Sequence, residues 1–231
     1  MRIKIFIISF CAFLFSFLIY KVYSDDRLNV LSIGDDLSLG LTPFNSYGES
    51  YNDFLKSYLN KYNLTSIYND YFISEGETFE SILHKFNDDY NLFVKNKSIS
   101  LRKSIADADI IILSLGSEKT FGKCGLSKEK FIDYIDEYFD LLNEFIDKID
   151  KISNSDIIVI GGYCFDYNEE VNQHILNLVS NFNDNVYFIN LYNEIHESSI
   201  YIPNKNMPFP SLEGYDFIFK RIVFSYDFVK K

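Results

Sequence analysis

The stretch Val30-Leu31-Ser32-Ile33-Gly34-Asp35-Asp36-Leu37-Ser38-Leu39-Gly40 decides how this chain is read. A short apolar run stops at Gly34, two adjacent carboxylates follow, and a second glycine closes the segment. That is the pattern of a buried strand delivering polar side chains to a strand-to-helix turn. Sites in open α/β sheets lie at such carboxyl ends.

The pattern repeats outward from there. Residues 28–33 form the first expected strand, and 65–73, 109–115, 156–160 and 185–190 the next four. Within 109–115 the stretch Ile110 to Leu113 is continuously apolar, as a central parallel strand buried on both faces requires. Between the strands, apolar residues recur three and four apart. Helices are therefore expected over 47–62, 78–90, 101–108, 168–181 and 214–229. The longest stripe carries Phe131, Ile135, Tyr138, Leu142, Phe145, Ile149 and Ile152, with Ser127 in the capping position. Residues 91–100 are polar and suit a small hairpin, and 117–127 reads as a loop by its glycines and lysines. Strands alternating with helices imply a three-layer α/β/α sandwich on a five-stranded parallel sheet.

With 47% hydrophobic and 18% aromatic residues in 231, the chain can bury a full core in one domain, placed here at 25–231. Three of its 22 basic residues (Arg2, Lys4, Lys21) precede Asp25, leaving 19 against 33 acidic ones from there on, a balance of -14. Such a surface repels nucleic acid, which is excluded as a partner.

Residues 1–24 differ from the rest. Two bases precede an apolar run, Ile5 to Tyr20, that as a helix spans roughly 24 Å, within reach of a bilayer when flanking residues snorkel. The segment Ile19-Tyr20-Lys21-Val22-Tyr23-Ser24 lacks a small-x-small cleavage pattern, and Phe10 before Cys11 disfavours lipoprotein processing. The expectation is a retained membrane anchor with its amino end cytoplasmic and the domain outside; a secreted form is the alternative. Of the three cysteines, Cys11 sits in this segment. Cys124 and Cys164 follow expected strands, and a disulfide between them or two free thiols both remain open. No spacing suggests zinc, and no cofactor is called for.

Taken in order, these landmarks resemble the SGNH or GDSL hydrolase family, esterases and acyl hydrolases on a flavodoxin-like sandwich; the resemblance spans residues 28–230. Gly34, Asp35 and Leu37 match the family's first block, Gly-Asp-Ser-Leu, but Asp36 stands where the nucleophilic serine belongs. Gly76 matches the second block, whose amide helps form the oxyanion hole. Gly116 matches the glycine of the third, Gly-x-Asn-Asp, with Glu118 in place of the oxyanion-binding asparagine. In the last block Asn206 and Phe209 replace the aspartate and histidine, while Pro210, Gly214 and Tyr215 remain.

The resemblance thus implies a cleft formed by Gly34, Asp35, Asp36, Gly76, Gly116, Glu118 and Phe209, lacking the groups that acyl transfer needs. Phenylalanine cannot move a proton, and an ionised glutamate repels an oxyanion. The leading expectation is a non-catalytic relative binding a small molecule or protein. A second is an ester hydrolase acting on a lipid or acylated carbohydrate, with Asp35, Asp36 and Glu118 converging as rebuilt chemistry or as a calcium or magnesium site. Against it stands the plain arrangement in which Asp35 caps the first helix, Asp36 faces solvent and Glu118 points away. A third is an esterase whose base comes from His84, His174 or His196.

Overall fold

The computed structural model describes residues 27–123, 125–163, 169–191, 195, 199–204 and 206–229. The expected anchor, both candidate disulfide cysteines and His196 lie outside these. Among the described residues no helix is long and apolar enough to cross a membrane.

Five parallel strands make the sheet: β1 (Leu28–Gly34), β2 (Thr65–Ile73), β5 (Ile110–Ser114), β6 (Asp156–Ile160) and β7 (Val186–Ile189). Their order is β2-β1-β5-β6-β7. β1 pairs with β5 in unbroken register, Val30 opposite Ile110 through Gly34 opposite Ser114. β5 is buried along its whole length, as its apolar run foretells. The edge strand β2 is half-exposed and mixes polar with apolar residues. Residues 91–100 form the expected hairpin, β3 (Asn91–Val94) with β4 (Lys97–Ser100).

Helices cover both faces, completing the three-layer sandwich. On one side pack α1 (Asp36–Leu39), α2 (Tyr51–Lys61) and α8 (Leu212–Ser225), through Leu37, Tyr51, Leu55, Ile218 and Ile222. On the other lie α3 (Phe79–Asn87), α4 (Leu101–Ala106), α6 (Lys128–Asp150) and α7 (Glu169–Val179), joined by Phe79, Ile105, Phe145 and Ile175.

Three expectations change. Residues 117–127 are not all loop, because α5 (Ser117–Lys123) forms there. Gly116, at φ +75°, turns the chain off β5, and the Ser117 amide is then capped by a carboxylate 82 residues away, a partner that local sequence cannot reveal. Ser127 precedes α6 without capping it through its side chain. The α6 stripe holds except at its end, where Ile152 lies past the last turn and is exposed.

Candidate functional site

The sheet reverses its winding between β1 and β5, so the crevice rule places a site at their carboxyl ends. There the chain leaves β1 at Gly34, where a Cβ would stand 2.0 Å from Ser38 Oγ. Ser38 cannot retreat easily, since its hydroxyl is tied to that of buried Tyr51 at 2.6 Å. Glycine is therefore needed for α1 to fold back so tightly on its strand.

Asp35 caps α1, accepting from the Leu37 amide at 3.1 Å, while its second oxygen accepts from the Ser117 amide at 2.5 Å. One buried carboxylate thus starts two helices. Burial pushes its pKa up to about 7, against the lowering effect of the hydrogen bonds from Ser117 and Leu37.

Asp36 does not face solvent. It is 2% exposed, and its carboxylate accepts from the Gly76 amide at 2.8 Å and the Tyr47 hydroxyl at 3.3 Å. The carboxylate in the serine's place therefore binds the very amide that the resemblance assigns to the oxyanion hole. Charge-assisted bonds of this kind are among the stronger hydrogen bonds, and a donor so engaged is not available to a transition state.

The turn carrying Gly76 is fixed from below. Glu77 is buried, accepts from Ser74 Oγ at 2.6 Å and pairs with Lys85. Burial alone would raise its pKa, but Lys85 and Ser74 more than offset this and hold it low. The Glu77 carbonyl accepts from the Gly116 amide at 3.1 Å, linking the two turns. Glu118 follows in the first turn of α5; its side chain lies outside the described residues.

The last block arrives from the α8 side. Phe209 is buried at 4% exposure, and the carbonyl of the preceding Pro208 accepts from Tyr163 Oη at 2.8 Å. Tyr215 Oη reaches the Leu41 carbonyl at 2.7 Å, and Asn204 Nδ2 the Pro43 carbonyl at 3.4 Å, so this loop is pinned to the segment following α1. Asn206 is exposed, its amide donating to Asn204 Oδ1 at 3.0 Å.

The structure thus bonds Asp36 directly to Gly76, ties Gly34 to Ser74, Asp35 to Ser117 and Gly116 to Glu77 around them, and brings Phe209 in on a neighbouring loop. Of the histidines, His174 meets Asp136 at 2.7 Å between α6 and α7, and His84 lies in the last turn of α3, a helix whose first turn is the one near Gly76. Among the described residues no group of three or more His, Cys, Asp or Glu is placed to hold a metal ion.

One participant escapes the sequence reading: Tyr47, the second partner of Asp36, falls inside the helix expected over 47–62. That helix instead begins at Tyr51, capped by a reciprocal Ser50–Asp53 box. The Ser-x-x-Asp pattern was the available signal.

These features define a class: the chain has an SGNH/GDSL-like hydrolase fold. The lipase Lip_vut3 from a goat rumen metagenome is similar at a TM-score of 0.66 and 14% identity, over 86% of this chain and 97% of that one. Axe2, an acetylxylan esterase from Geobacillus stearothermophilus, is similar at 0.59 and 15%, over 90% and 99%. No protein-family model matches the sequence, and no curated protein does. Likeness at this identity carries the fold.

Proposed function

We propose that this chain is a non-catalytic relative of the SGNH esterases, held at the outer membrane face by residues 1–24, and using the carboxyl edge of its sheet to bind a ligand or protein. The carrying observation is the Asp36 carboxylate on the Gly76 amide. An esterase of this fold needs that position to supply a nucleophile and that amide to receive negative charge. Here one side chain removes both. Buried Phe209, where the resemblance expects the base, supports the same reading.

The test is labelling with a fluorophosphonate probe, which reports an activated serine whatever the substrate. No labelling is expected. Labelling at any serine that disappears on its replacement overturns the proposal.

A second reading draws on Asp35, whose pKa near 7 suits a general acid or base in a rebuilt carboxylate site acting on a lipid or acylated carbohydrate. It is the weaker of the two. Both Asp35 oxygens are engaged by backbone amides, and the side chain is buried.

A further inference from the structure

On the α3 and α6 side of the same sheet edge lies a cleft of about 250 Å³, which Gly116 borders and neither Asp36 nor Gly76 lines. Its walls are apolar. Buried Phe79 meets Tyr138 edge-on, with centroids 5.2 Å apart and planes at 79°, and Leu141 extends the surface.

Among the described residues, four charged side chains border the cleft. Lys119 and Glu80 pair at 2.7 Å and neutralise each other. Lys123 and Glu137 are exposed and form no ion pair among the described residues. The described residues of the cleft therefore offer a ligand one free positive and one free negative charge beside an apolar wall. A monoanion would meet Lys123 but also face Glu137, and a monocation would have the converse difficulty. A ligand carrying both charges and an apolar body satisfies all three surfaces. The volume lies below the usual span for drug-sized ligands, which suits a small one.

We propose that this cleft binds a free α-amino acid with an apolar side chain, its carboxylate on Lys123, its ammonium on Glu137, and its side chain against Phe79, Tyr138 and Leu141. The inference rests on the binding role proposed above. It also locates that role, because the ligand sits beside the filled amide position and need not displace Asp36.

The experiment is equilibrium dialysis of the full chain in detergent against radiolabelled L-phenylalanine, with competition by N-acetyl-L-phenylalanine, which lacks the ammonium, and L-phenylalaninamide, which lacks the carboxylate. Saturable binding is expected, with each blocked analogue about tenfold weaker, the scale of one lost charge-assisted bond. Lys123→Gln should weaken phenylalanine by a similar factor and leave the amide unchanged, and Glu137→Gln should spare the N-acetyl compound. Both substitutions are on the surface. Leu141→Trp, which fills the cleft, should abolish binding, with an unchanged melting transition showing that the fold is retained.

Absence of saturable binding at millimolar phenylalanine overturns the proposal. So does equal affinity for all three compounds, or competition by the neutral disaccharide xylobiose that is indifferent to both charge substitutions. Fluorophosphonate labelling of the same preparation fails or holds independently, so loss of the non-catalytic reading would be seen separately from loss of the amino-acid site.

Discussion

At the scale of single residues, two adjacent aspartates carry most of the site's meaning. Asp36 is buried yet satisfied, because an amide 40 positions along the chain comes to meet it. Replacing it with alanine should cost about 1.5–3 kcal/mol, the scale of a hydrogen bond to a charged group, and lower the urea midpoint. Acetate should restore part of that stability by entering the vacated position, whereas acetamide should not. Asp35 makes a prediction of opposite character. Burial lifts its pKa from the ordinary 3.8 to about 7, so the folded protein holds a proton that the unfolded chain releases. Stability should therefore fall as pH rises from about 4 to 7 and level off above, a span worth roughly 4 kcal/mol. Asp35→Asn should remove this dependence, as urea midpoints at roughly pH 5 and pH 8 would show. The cap formed by Asp35 was legible in the sequence as one of two arrangements. The burial of Asp36 was not, since a carboxylate in the first turn of a short helix suits solvent equally well until Gly76 is placed against it.

At the scale of elements, local pattern located strands and helices well where the pattern itself supplies the energy. β6 occupies the expected residues because its apolar, β-branched run has little alternative to a covered sheet, and the mixed edge strand β2 also keeps its expected bounds. α5 lies in a stretch whose sequence reads as loop, because what starts it is tertiary: the carboxylate of Asp35 on the Ser117 amide. The two serines preceding α2 and α6 offer a clean comparison. Ser50 accepts from the Asp53 amide at 3.2 Å, and the Asp53 carboxylate reciprocates at the Ser50 amide at 2.9 Å. Ser127 holds the same position before α6 with no such bond. Ser50→Ala should lose about 1 kcal/mol of stability, and Ser127→Ala less than about 0.5 kcal/mol, both read from thermal or urea unfolding.

At the scale of the whole molecule, the sandwich was readable from alternation alone, because a parallel sheet must be covered on both faces and sequential strands must cross over through helices. The filled amide position was not, since it depends on three loops meeting in space. The proposed orientation follows from the bases that precede the apolar run. Removing residues 1–24 should move the protein from the membrane to the soluble fraction, and protease added to intact cells should digest the domain of the full chain while sparing its amino end. The central proposal is that, on this hydrolase-like fold, Asp36 occupies the amide that an oxyanion would need. Turnover of nitrophenyl acetate by the purified full chain tests this most directly. The expected rate is indistinguishable from buffer; steady hydrolysis that disappears in Asp36→Asn would contradict it.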